Sequence, residues 1–116
     1  MSSDFSSEVT DGNGPHVKIV RLNGELDEVS IEKLKTYIDP LLEDKTVTKV
    51  IFDFSNLEFI NSKGIGYLVS VHTHLAKDGR SLIIAAAVEP VMDVISLVGL
   101  VTIIPYYATL EDALNS

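Results

Sequence analysis

Ser81-Leu82-Ile83-Ile84-Ala85-Ala86-Ala87 is apolar at both parities, and this run restricts the fold more than any other feature of the chain. A strand with one face in water alternates polar and apolar residues, whereas a strand covered on both faces does not. Lys49 to Phe54 reads in the same way, with Val50, Phe52 and Phe54 on one face and Ile51 and Asp53 on the other. Between the two runs lies an amphipathic segment from about Lys63 to Lys77. Strand, helix and strand in that order predict parallel neighbours joined by right-handed crossovers. The expectation is an α/β fold, a four- or five-stranded mixed sheet with about four helices. A chain of 116 residues suits one domain, residues 1–116, better than two.

The remaining segments fill in that plan. Residues 1–10 read as a tail or a weak edge strand. Asp11-Gly12-Asn13-Gly14-Pro15 is a dense turn signal, which suits a hairpin into the strand His16 to Leu22. Asn23 to Asp27 should end that strand. Ile31, Leu34, Ile38, Leu41 and Leu42 are spaced for one helix face. Asp27 or Ser30 is the candidate cap, and Pro40 should kink or tighten the last turn. Ser55 to Ile60 reads as a loop. Ile65, Leu68, Val69, His72 and Ala76 form the predicted stripe of the next helix, with Gly79 after its end. Pro90 opens a helix whose inward positions are Val91, Val94, Ile95 and Val98, and Gly99 closes it. Thr102-Ile103-Ile104 reads as a short strand stopped by Pro105, and Thr109 as the cap of a helix from Leu110 to Leu114.

Composition narrows the function. The formal net charge is −8, opposite in sign to the field that nucleic acids and anionic membranes attract. A protein partner, by contrast, is expected to present a basic surface. Cysteine is absent, so thiolate metal sites and cysteine nucleophiles are excluded. Met1-Ser2-Ser3-Asp4 lacks the basic and apolar regions of a secretory signal. The longest apolar run, Leu82 to Val88, is too short for direct membrane insertion. A cytoplasmic location is expected.

Phe59-Ile60-Asn61-Ser62-Lys63-Gly64-Ile65-Gly66 joins the Lys49 strand to the following helix. Ser62 stands where the strand pattern stops, and locally it reads as an N-cap. Gly64 and Gly66 bare the first turn for close approach. Enzyme signatures are missing here. No histidine is placed by sequence to activate Ser62, and there is no Gly-x-Ser-x-Gly elbow. Gly64-Ile65-Gly66 lacks the third glycine of a dinucleotide fingerprint and the lysine of a P-loop. His72 and His74 lie on different helix faces, poorly placed to chelate together. No catalytic residue, metal site or cofactor is expected.

Asp53-Phe54-Ser55 through Asn61-Ser62-Lys63-Gly64-Ile65-Gly66 resembles the signature of STAS-domain proteins of the anti-sigma-factor antagonist class. Gly24-Glu25-Leu26-Asp27 matches a motif of that family upstream, and Leu97-Val98-Gly99-Leu100 resembles its C-terminal end. The resemblance runs from Val17 to Leu114. It implies a STAS-like fold and a protein that binds an anti-sigma factor, itself often a serine kinase, to free a sigma factor. It also implies phosphorylation at Ser62 that blocks binding, and a phosphatase that restores it. The implied docking residues are Gly24, Glu25, Asp27, Asn61, Ser62, Lys63, Gly64 and Gly66. Where the family usually has aspartate the chain has Asn61, and where it has serine or threonine the chain has Lys63. Asn61 keeps the hydrogen bonding and loses a charge; Lys63 adds a cation beside the target. The same resemblance admits an interaction subunit of a lipid- or membrane-transport assembly, or a binding module independent of phosphorylation.

Overall fold

The computed structural model describes residues 5–116. Strand β1, Ser6–Gly12, turns into β2, Gly14–Leu26, and the two pair antiparallel. Helix α1, Glu28–Glu43, leads to β3, Lys49–Ile60, and then to α2, Ser62–Ala76. Strand β4, Ser81–Ala85, precedes α3, Glu89–Leu97. A 3-10 turn over Leu100–Thr102, strand β5 at Tyr106–Tyr107 and α4 at Leu110–Leu114 complete the fold. The sheet order is β1-β2-β3-β4-β5, with every pair after the first parallel. Among the described residues the fold has a mixed sheet of five strands and four helices, within the four- or five-stranded sheet with about four helices that the strand–helix alternation predicts.

The two faces of the sheet differ in depth. Val20, Leu22, Phe52, Phe54, Leu82 and Ile84 face α1, α2 and α3 and form the main core. Ile51, Ile83 and Ala85 face the other way and pack under Ala113, Leu110 and Leu114 of α4. Both faces of β3 and β4 are covered, which explains why these strands are apolar at both parities. The one charge on the inner part of β3, Asp53, sits on the α4 side. It accepts from Arg21 Nε at 3.0 Å and from the backbone N–H of Ser55 at 3.0 Å. Burial would raise its pKa, but these bonds and the Arg21 charge win, and the carboxyl is held below its usual range.

Several boundaries differ from the sequence expectation. β2 does not stop at Leu22 but runs to Leu26, and Ser55 to Ile60 is not a loop but the second half of β3. The pairing there slips between Arg21 and Asn23 and again between Gly24 and Glu25. Such bulges break the two-residue period, so Leu57 and Ile60 are both buried at a spacing of three. The inner stripe of α2 is Gly64, Leu68, Val71 and Leu75. Ile65, Val69 and His72 are half-buried on its flank, and Ala76 is exposed. The stripe is rotated because Gly64 lets the helix axis approach the sheet: a Cβ there would lie 2.7 Å from Ile60 Cγ1 and 2.7 Å from the Leu26 carbonyl oxygen.

β4 ends at Ala85, not Ala87, because Ala86 takes a left-handed φ of 61° and turns the chain. Thr102 to Ile104 is not a strand. The chain winds into the 3-10 turn after Gly99, at φ 75°, buries Ile104, and pairs only at Tyr106–Tyr107. In α3, Val91 and Ile95 are buried and Val94 is half-buried, while Val98 stays 54% exposed. Helix α1 passes through Pro40 to Glu43.

Candidate functional site

β2 and β3 are parallel and finish level, with Leu26 opposite Ile60. One residue beyond each strand a helix is capped: Asp27 caps α1 and Asn61 caps α2. The two helix starts therefore lie side by side along the rim where the parallel strands end. Gly24, Glu25 and Asp27 arrive there from β2, and Asn61, Ser62, Lys63, Gly64 and Gly66 from β3 and α2. The structure thus places all eight residues singled out in the sequence along that rim.

Asp27 Oδ1 accepts from the backbone N–H groups of Val29 and Ser30, both at 3.0 Å. Ser30 Oγ accepts in return from the Asp27 N–H at 2.9 Å and donates to the Glu25 carbonyl at 2.7 Å. The Ser30 N–H, then its hydroxyl and the Val29 N–H, hold the Asp27 carboxyl below its ordinary pKa. Of the two candidate caps, then, Asp27 is the cap and Ser30 its reciprocal partner.

Ser62 is not the cap of α2. Asn61 takes that place, accepting from the Gly64 N–H at 3.0 Å, and its own N–H donates to the Leu26 carbonyl at 3.2 Å. Asparagine and serine are about equally good caps, so local sequence does not separate them. Ser62 becomes the first residue of α2. It is exposed, and among the described residues its hydroxyl makes no hydrogen bond. Lys63, next along, is exposed and makes no ion pair among the described residues.

Gly64 and Gly66 separate in role. Gly64 is buried and its place is fixed by packing against β2 and β3. Gly66 is exposed, and a Cβ there would meet nothing within 4 Å.

Sequence reasoning missed the place of Glu28 in the site. Glu28 is the first residue of α1, as Ser62 is of α2, and its Oε1 accepts from Asn61 Nδ2 at 3.0 Å. Its own backbone N–H, the Asn61 amide and, more weakly, the Lys63 charge lower its pKa. A carboxylate at a helix start was visible in the sequence; its partner across the two helices was not. Val29, 70% exposed, and Phe59, 48% exposed, were likewise not singled out. They put apolar side chains next to Glu28 in α1 and near the end of β3.

A STAS-domain family model matches residues 7–113. The chain belongs to the STAS family. Within it, the chain is 26% identical over 99 residues to the anti-sigma F factor antagonist of Paenibacillus polymyxa, covering 85% of each. It is 31% identical over 67 residues, 57% of each chain, to that of Lysinibacillus sphaericus. Among solved structures, an anti-sigma factor antagonist from Mycobacterium paratuberculosis superposes with a TM-score of 0.86 at 28% identity, over 99% of this chain and 97% of that one. The Bacillus cell fate determinant SpoIIAA in its phosphorylated form shares the fold, with a TM-score of 0.73 at 24% identity over 95% and 97%. No helix of this STAS chain, among the described residues, is long and apolar enough to cross a membrane.

Proposed function

We propose that this STAS protein is an anti-sigma-factor antagonist, and that a phosphoryl group on Ser62 turns its binding off. The observation that carries the reading is the free, exposed hydroxyl at the first position of α2, with capping left to Asn61. A modified Ser62 would therefore cost the helix no cap. The names of the Paenibacillus, Lysinibacillus and Mycobacterium relatives support the antagonist role. That SpoIIAA is known in both unphosphorylated and phosphorylated forms supports the switch.

The docking face on this reading is the shared rim: Glu25 and Asp27, with Gly24 buried behind them, beside Asn61, Ser62, Lys63 and Gly66. Gly66 leaves open space that a partner can fill. Gly64 works from beneath, by seating α2 against the strands. Phosphorylation adds about −1.5 to −2 charge at neutral pH. The helix start and Lys63 favour that charge, while Glu28 opposes it. The fold is thus retained while the face gains negative charge at Ser62. A loss of ~1.4 kcal/mol in binding is already tenfold in affinity.

A binding role also fits the surroundings of Ser62 better than catalysis. His72 lies ten residues along α2, about 15 Å along the axis, too far to act as base for Ser62. The partner on this reading is an anti-sigma factor with serine-kinase activity, and a phosphatase reverses the modification.

The test is incubation with the anti-sigma kinase of the same cell and ATP, read by mass spectrometry. The expected result is about 80 Da added at Ser62. Ser62→Ala should bind that partner constitutively and Ser62→Asp weakly, with little change in stability. Equal affinity of all three forms refutes the switch. Recovery of a transporter subunit in place of an anti-sigma factor refutes the antagonist role.

A further inference from the structure

Beside the docking rim the bulged halves of β2 and β3 open a cavity of about 420 Å³. The ladder slips twice at this place, and Gly24 takes a φ of 100°, a value that residues with side chains rarely adopt. Bulges leave backbone groups unpaired and re-aim side chains. Four polar side chains line the cavity: Asn23, Ser55, Asn56 and Glu58. Asn23 directs its amide nitrogen to Ser6 Oγ at 3.1 Å, which leaves its carbonyl oxygen to accept. Ser55, Asn56 and Glu58 are exposed, and Glu58 makes no ion pair among the described residues. Among the described residues no lysine, arginine or histidine lines the cavity. Leu57, fully buried, and Val88, half-buried, supply apolar lining.

Oxygen acceptors, one carboxylate and apolar lining are what an arginine side chain requires. The methylene stem packs on apolar surface, and the planar fork delivers five donors in fixed directions. A lysine ammonium is a compact, strongly hydrated point charge that matches spread acceptors less well. The cavity is also continuous with the docking face. Asn23 and Gly24 run into Glu25 and Asp27, and Glu58 is followed by Phe59 and, four residues after Glu58, by Ser62. A chain with net charge −8 favours a basic partner surface. We propose that this cavity receives an arginine side chain of the partner protein, the anti-sigma factor on the reading above, on which that naming of the partner rests.

The experiment has two arms. In the first, N-acetyl-arginine-N-methylamide is titrated into the 15N-labelled protein. Saturable shifts should appear at the Gly24 amide and the Asn23 and Asn56 side-chain amides. They should weaken with the lysine analogue and vanish in Glu58→Lys. Shifts spread evenly over the acidic surface, or unchanged in Glu58→Lys, overturn the proposal.

In the second arm the anti-sigma factor is titrated against the wild type, Glu58→Gln and Glu58→Lys, with thermal melts as a folding control. Glu58→Lys should lose roughly tenfold or more in affinity and show a flatter salt dependence. Wild-type affinity in Glu58→Lys overturns the cavity's role and leaves the antagonist reading standing. Saturation by the arginine probe with no binding of any anti-sigma factor has the opposite meaning: the antagonist reading fails and the cavity survives.

Discussion

Asn61 Nδ2 donates to Glu28 Oε1 across 3.0 Å, so the cap of α2 is bonded to the first residue of α1. The same asparagine holds the Gly64 N–H through its oxygen. One amide group thus serves both helix starts. An aspartate at this position would keep the cap but set a second carboxylate against Glu28. Asn61→Ala should lower stability by about 1 kcal/mol, the usual value of a cap. Urea unfolding of the two forms checks this.

Gly64 and Gly66 should respond oppositely to alanine. Gly64→Ala drives a methyl group into Ile60 and the Leu26 carbonyl and should destabilise by about 1–3 kcal/mol, as overpacking does. Gly66→Ala meets nothing and should be neutral or up to ~1 kcal/mol stabilising through helix propensity. Paired denaturation curves decide it. A loss of partner binding in Gly66→Ala without a loss of stability would locate the contact on that face.

Arg80 is the buried cation of the fold. Its guanidinium donates to the carbonyls of Leu41, Leu42, Asp44 and Val47 and to Asp78. Four of these bonds tie down the end of α1 and the turn after it. Arg80→Met keeps the apolar stem and strands those carbonyls, at an expected cost of about 3 kcal/mol or more. Arg80→Lys should recover only part of the loss, because an ammonium has three donors and no fork. Chemical denaturation of both variants is the measurement.

Acid should unfold the protein partly through Asp53. Its folded pKa lies below the ordinary value of 3.8, so its stabilisation is present above that value and is lost as pH falls through the folded pKa. In this window the unfolded state binds more protons, so stability rises with pH. Asp53→Asn should flatten that part of the curve, measured as urea midpoint against pH from 2 to 6. Removing Arg21 should flatten it too, since Arg21 holds the carboxylate.

Tyr67 buries its hydroxyl without a partner among the described residues, and burial raises its pKa. Tyr67→Phe removes a desolvated group and no hydrogen bond, so it should be neutral or slightly stabilising. Thermal unfolding will show the sign.

The order of elements and the covered strands were legible because Leu82 to Ala85 and Val50 to Phe54 carry an apolar residue at nearly every position. The site was legible as residues and less so as geometry. Ser62 and Asn61 are both good caps, and only the backbone path decides which of them takes the role. The second half of β3 was hidden because its bulges replace alternation with a spacing of three between Leu57 and Ile60. The α2 stripe was misplaced by the same logic: its first inward residue, Gly64, has no side chain to register as apolar. The bond between Glu28 and Asn61 was hidden because the two residues are 33 apart in the chain.

The level finish of β2 and β3 has a consequence for how information moves in this molecule. Two helices begin at the same height, so on the proposed reading a docking protein would touch both in a single encounter. If Ser62 carries the proposed phosphoryl group, nothing need travel through the interior, and the hydrophobic layers can stay rigid while the rim alone changes.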